Sequence, residues 1–107
     1  MAQWLRVMLG GGAIDGRRLV SPAGFTALLT PQIRVSADAE YGLGWGLARW
    51  RGTKLVTHSG GTDGCSALVD LLPDRHAGLV FLDNVPENDL INDVRAVVWE
   101  GLLDLRR

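Results

Sequence analysis

Apolar residues follow two different spacings along the chain. Near the amino terminus the spacing is helical: Trp4, Leu5, Met8 and Leu9 share one face, and Gly10-Gly11-Gly12 stops the helix. Asp15-Gly16 predicts a tight turn between two short extended pieces. Ser21-Pro22 is an N-cap and first-turn pair for a second helix through Phe25, Leu28 and Leu29, ended by Pro31. Residues 32–40 are polar without periodicity and predict a loop. From Lys54 onward the pattern is that of strands. A first apolar run ends in His58-Ser59-Gly60, and a glycine-rich turn follows over Gly60-Gly61-Thr62-Asp63-Gly64. Runs from Cys65 to Leu72 and from Ala77 to Leu82 are separated by Pro73-Asp74-Arg75-His76, a turn sequence in which the proline fixes one dihedral and donates nothing to a ladder. Together they predict a three-stranded antiparallel meander. Helical spacing returns at Leu90, Val94, Val97, Val98, Leu102 and Leu105, with a cap expected in the Asn84 to Asn88 region.

These elements define an α+β fold: N-terminal helices, an antiparallel sheet of three to four strands, and a C-terminal helix packed on it. The organisation expected is one domain over 1–107, helical and connecting over 1–40, stranded over 41–84, and helical again over 87–105. Composition agrees with a compact unit, since 107 residues with 47% apolar content and four tryptophans supply core material. A net charge of −1, from 11 basic and 12 acidic residues, gives no electrostatic handle on nucleic acid. Arg106 and Arg107 read as charges that favour a helix C-terminus. No apolar run reaches membrane-spanning length, and the amino terminus lacks the charged and apolar regions of a signal peptide, so a soluble chain is expected. One cysteine excludes an internal disulfide, and one cysteine with two histidines is too few for a conventional structural zinc site. No metal and no cofactor is implied.

The chemistry-bearing residues gather between Lys54 and Asn84. An apolar strand ending in Lys or His, a small hydroxyl residue and Gly, then a glycine-rich turn, a second strand closed by a Pro-Asp turn, and a third ending in Asn resembles the serine β-lactamase and penicillin-binding-protein superfamily. Within it the class C β-lactamase-related hydrolases and esterases are the most similar branch. Upstream, Tyr41-Gly42-Leu43-Gly44-Trp45, the Asp15 to Pro22 segment and the opening helix from Gln3 extend the resemblance over essentially the whole chain. A glycine-rich strand turn is common by itself; five such pieces in one order are not.

The resemblance implies acyl transfer through a serine ester, on a β-lactam, a D-alanyl peptide or an ester. It assigns His58 to the lysine position of a Lys-Thr-Gly element, where it would orient the substrate, and Ser59 to a hydrogen bond with a substrate carboxylate or carbonyl. Gly60 would let the backbone approach the acyl group. The N–H of Gly61 would be one of two oxyanion donors, and Asn84 would face substrate. The family's Ser-x-x-Lys nucleophile and Tyr-x-Asn element have no counterpart here. Lys54 is the only lysine, no serine stands three residues before it, and Tyr41 is followed by Gly42 and Leu43. Since both motifs precede the matched region in the family, the chain is expected to be a C-terminal part of such a hydrolase, inactive alone. A small-molecule substrate is then expected only together with the missing N-terminal part. Family members are often periplasmic or secreted, but the compartment of this chain is unknown. Loss of neighbouring strands would leave the edge of the Ala77–Leu82 strand bare, giving a possible homo-oligomer through an exposed sheet edge. The alternative reading is a free-standing, non-catalytic α+β binding module.

Each site residue also has a plainer reading. His58 could be a strand-end histidine making one hydrogen bond, and Asn84 a turn residue. Cys65, seven residues from His58, opens an apolar strand and is expected to be buried and inert rather than half of a Cys-His pair. Asp63 and Asp70 lie at opposite ends of one strand, which gives no fixed separation for paired-carboxylate chemistry. Gly10-Gly11-Gly12 lacks the lysine and strand context of a phosphate loop. Trp45 and Trp50 differ in parity, so they face opposite sides of a strand and favour core packing over a sugar platform.

Overall fold

The computed structural model describes residues 1–86 and 89–104. Helix α1 (Ala2–Leu9) is followed by a two-stranded hairpin, β1 (Ala13–Ile14) and β2 (Arg17–Arg18). Asp15 and Gly16 turn it with φ of 48° and 75°, the paired positive values that a type I′ hairpin turn requires. Helix α2 (Pro22–Leu28) begins where the sequence predicts, with the Ser21 hydroxyl accepting from the Gly24 N–H at 3.0 Å.

A six-stranded antiparallel meander follows, each strand beside its neighbour in sequence: β3 (Ile33–Arg34), β4 (Glu40–Tyr41), β5 (Gly46–Trp50), β6 (Thr53–Thr62), β7 (Cys65–Leu72) and β8 (Ala77–Asp83). The four long strands are the predicted sheet. Strands β3 and β4 fall inside the segment 32–40 and its border, where only a loop was expected; two-residue strands are too short to show alternation. The turn after β7 is a 3₁₀ turn over Pro73–Arg75, ended by His76 in the left-handed conformation at φ 49°. Helix α3 (Leu90–Asp104) closes the described chain. Part of its expected cap, residues 87 and 88, and Leu105, Arg106 and Arg107 lie outside the described residues.

Period-two alternation divides the sheet into two buried faces. One carries Val56 and Leu71, with Leu47, Val69 and Val80 at its margin, against Leu5 and Met8 of α1 and Phe25 and Leu28 of α2. The other carries Leu55 and Leu72, with Trp50 and Leu79, against Trp99 and Leu102 of α3. Trp45 joins the first core and Trp50 the second, as their parity predicts. The Trp50 indole N–H is buried without a hydrogen-bond partner among the described residues.

The stripe assigned to α3 needs correction. Val97 is 73% exposed and Leu90 and Val98 are also exposed, whereas Trp99 is buried. The helix is rotated to place the large Trp99 indole and Leu102 inward, with Arg95 one turn before Trp99. Arg95 meets Asp70, the one charged side chain with no exposed surface among the described residues. On α1, similarly, Trp4 is exposed and Val7 is buried with Leu5 and Met8.

Candidate functional site

Strand β6 has ten residues and β5 has five, so pairing between them ends at Gly46 and Thr57. From His58 to Thr62 the β5 side of β6 has no strand partner among the described residues, while the other side stays paired with β7 through Thr62 and Cys65. The alternation of antiparallel pairs fixes which backbone groups face that open side. The hairpin between β6 and β7 closes at Thr62 and Cys65, so Thr62, Gly60 and His58 exchange their backbone bonds with β7. Ser59 and Gly61 then point the other way. The hairpin between β5 and β6, closing at Trp50 and Thr53 around Arg51 and Gly52, gives the same parity, since it turns Thr53, Leu55 and Thr57 toward β5. Two independent turns therefore direct the N–H and C=O of Ser59 and Gly61 to the open edge.

Side chains follow the complementary rule. His58 and Gly60 lie on the α1/α2 face, and Ser59 and Gly61 on the α3 face. A Cβ built on Gly60 would meet nothing within 4 Å, and one on Gly61 would lie 3.3 Å from the Cys65 carbonyl oxygen. Neither glycine has a positive φ, which corrects the expected glycine-rich turn: Gly60, Gly61 and Thr62 are strand residues, and the turn is Asp63-Gly64, with Gly64 at φ 80°. The ladder to Ala67 and Ser66 holds the glycines extended, so the backbone groups on offer are those of a strand edge rather than a cupped turn.

His58 is held by the loop between β4 and β5, which is the Tyr41-Gly42-Leu43-Gly44-Trp45 segment. The Gly42 N–H donates to the Trp45 carbonyl at 2.7 Å and the Leu43 N–H to the Leu28 carbonyl at 3.1 Å, clamping the loop onto the end of α2. A Cβ at Gly42 would stand 2.4 Å from the Leu28 carbonyl oxygen, and Gly44 has φ 82°, so both positions require glycine. The loop brings the Gly44 carbonyl oxygen 2.7 Å from His58 Nδ1, and the Tyr41 hydroxyl 3.2 Å from the same nitrogen. Sequence reasoning assigned Tyr41 no site role. Its signal is present only in the spacing that makes the segment a four-residue hairpin loop between β4 and β5, one strand before that of His58.

Other candidates are not brought together with these. Asn84 is an exposed bend residue just past β8, two strands away from β6. Cys65 is exposed, contrary to the buried position expected, because its strand begins beyond the reach of either core. Thr62, its partner, is four residues along β6 from His58, roughly 13 Å at strand rise, so Cys65 and His58 form no pair. Asp83 is occupied by Ser66, whose hydroxyl donates to it at 2.5 Å. A wide groove of about 850 Å³ lies elsewhere, lined by Arg34, Asp38, Glu40, Arg49 and Lys54 among others, and touches none of His58 to Gly61. Its opposed charges and shallow form give it no defined chemistry, and the strand edge is the better candidate.

No protein-family model matches the chain, and no curated protein matches it. Among solved structures, it is similar to a penicillin binding protein from Bacillus halodurans, with a TM-score of 0.69 at 20% identity over 88% of this chain and 28% of that one. The chain therefore has a penicillin-binding-protein-like, β-lactamase-like fold and spans less than a third of the length of that neighbour. No helix among the described residues is long and apolar enough to cross a membrane.

Proposed function

We propose that this chain forms one wall of a serine acyl-transfer site, as the C-terminal part of a hydrolase of the class C β-lactamase-like kind acting on a β-lactam, a D-alanyl peptide or an ester. The observation that carries the reading is the open stretch of β6, where the Gly61 and Ser59 backbone groups face outward beside the held imidazole of His58. An extended acyl compound laid along that stretch would gain strand-like hydrogen bonds, with its carbonyl oxygen at the Gly61 N–H. Ser59 would offer its hydroxyl to a substrate carboxylate or carbonyl, and Gly60, with nothing within 4 Å of where a Cβ would stand, leaves room for that approach. Asn84 stays a weaker candidate because it is on the far side of β7.

The nucleophile has to come from residues outside these 107. None of Ser21, Ser36, Ser59 or Ser66 has a lysine three residues on. The isolated chain is expected to leave nitrocefin and p-nitrophenyl esters unhydrolysed above background. Covalent labelling of one of its serines by a fluorescent penicillin or a fluorophosphonate would overturn the assignment. An in-frame Ser-x-x-Lys in the adjoining upstream coding sequence is the companion observation expected, and its absence would favour a non-catalytic binding module.

The same reading accounts for the far edge of the sheet. Strand β8 is the last strand, its outer side unpaired among the described residues, and Gly78, Val80 and Leu82 direct their backbone groups outward by the parity set at Cys65. The run Ala77 to Leu82 has no charge and no proline to deter pairing. A second copy of the chain, pairing edge to edge, is the expected occupant in the isolated protein. Val80 contributes to the α1/α2 core, so the informative change is at Leu82, which is 65% exposed. Leu82→Lys is expected to shift sedimentation from dimer or larger species to monomer without loss of helicity; a wild-type monomer would refute the edge as an interface.

A further inference from the structure

The contacts of His58 decide more than its position. An imidazole nitrogen that carries a proton donates, and one that does not accepts, so each neighbour of Nδ1 favours a different tautomer. The Gly44 carbonyl oxygen, at 2.7 Å, can only accept, and requires a proton on Nδ1. The Tyr41 hydroxyl, at 3.2 Å, could donate to a bare Nδ1, but it can also stand as a second, longer acceptor. With Nδ1 bare, two lone pairs would oppose each other at 2.7 Å with no proton between them. That arrangement is repulsive, and the longer tyrosine bond does not offset it. Nε2, across the ring, has no hydrogen bond among the described residues, and the side chain is exposed.

We propose that the Gly44 carbonyl is the positioning group that holds neutral His58 as its Nδ1–H tautomer, with the Tyr41 hydroxyl as a second, longer acceptor, so that Nε2 is the ring atom left to accept a hydrogen bond from a ligand. The geometry stands independently of the acyl-transfer reading; only its chemical consequence rests on that reading. A lysine ammonium at this position could do nothing but donate and would attract a carboxylate. A neutral imidazole fixed in this way accepts instead, so the ligand it selects is an acyl compound presenting an N–H or O–H donor at that point, in preference to a free carboxylate. The loop exists in the required form because Gly42 and Gly44 take conformations or contacts that other residues cannot.

Nitrogen-15 NMR of the whole chain, at a pH where imidazoles are neutral, distinguishes protonated from bare ring nitrogens directly. His76, the other histidine, is exposed at the end of a turn and serves as the internal reference. His58 is expected to show Nδ1 protonated and Nε2 bare, with His76 showing the Nε2–H form that free histidine favours. Tyr41→Phe is expected to leave the His58 tautomer in place, because the nearer acceptor remains. Gly42→Ala, which forces the loop off the Leu28 carbonyl, is expected to return His58 toward the pattern of His76. If wild-type His58 carries its proton on Nε2, the proposal is overturned; a tautomer that then changes in Tyr41→Phe would identify the tyrosine as the donor. The wild-type measurement decides the matter even if Gly42→Ala fails to fold. It is also separate from the hydrolase question, since no substrate is present.

Discussion

In a hybrid that joins residues 1–107 to a nucleophile-bearing N-terminal part of a penicillin-binding protein and has measurable acyl transfer, Gly61→Pro is expected to reduce turnover by about a hundredfold or more, the usual effect of losing one oxyanion donor. Proline removes the N–H that the parity of β6 directs at the open edge, and it removes nothing from the ladder to β7. That is the setting in which a strand accepts proline, with the missing donor on the unpaired side. The close approach to the Cys65 carbonyl oxygen, 3.3 Å from a Cβ at this position, is shared by Gly61→Ala, which keeps the N–H. Alanine is therefore the control, expected within a few-fold of wild type. Equal turnover for proline and wild type, with folding verified by circular dichroism, would remove Gly61 from the oxyanion role. Equal losses for alanine and proline would mean that crowding, not the donor, was being measured.

Much of this sheet is legible in the sequence because it depends on short-range rules. The runs from Cys65 to Leu72 and from Ala77 to Leu82 give β7 and β8 almost to the residue, and Pro73 to His76 gives the turn between them. Asp15-Gly16 and Ser21-Pro22 specify their turn and cap through local backbone chemistry. What the sequence hides is register. The glycine cluster after His58 suggests a wide turn until the partner strand is known; pairing of Gly61 with Ser66 narrows the turn to two residues and makes both glycines part of an edge. Cys65 looks interior because it begins an apolar run, yet a strand end that outruns its covering helices is exposed. The grip on His58 links residues 14 and 17 positions away through a loop whose glycines answer to a helix carbonyl, a contact that no local pattern encodes.

Long-range polar contacts are hidden for the same reason, and the most consequential is the one under the α3 face. Asp70, with no exposed surface, accepts from Arg95 Nε and Nη2, each at 2.7 Å, from the Thr57 hydroxyl at 2.6 Å and from the Trp99 indole at 3.0 Å. In the sequence the only hint is one carboxylate inside the apolar run of β7 and one arginine on α3, 25 residues apart. Every lone-pair direction of the carboxylate is used, and the arginine pairs with it in the two-pronged geometry that fits a guanidinium to a carboxylate. The network also joins β6, β7 and α3 directly behind Thr57, the residue before His58, so it anchors the strand from which the site is built.

Removing one partner is far more disruptive than removing both. Arg95→Met should leave the Asp70 charge buried with only neutral donors, at a cost of about 3–5 kcal/mol. A chain of this size has roughly 5 kcal/mol to spare, so the variant is expected to be largely unfolded, or to melt near ambient temperature, in urea or thermal titrations followed by far-UV circular dichroism. Thr57→Val removes the hydroxyl that donates to Asp70 and accepts from Arg95 Nη2 at 2.9 Å, and is expected to cost about 1.5–3 kcal/mol. The double change Asp70→Leu with Arg95→Met removes both charges and replaces them with apolar volume. It is expected to recover most of the loss, leaving the Trp99 N–H and the Thr57 hydroxyl as the new unpaired groups. A single Arg95→Met variant as stable as wild type would mean that water reaches Asp70. The network would then not be what holds α3 against the sheet, and the support assigned to the strand of His58 and Gly61 would have to come from the apolar contacts of Trp99 alone.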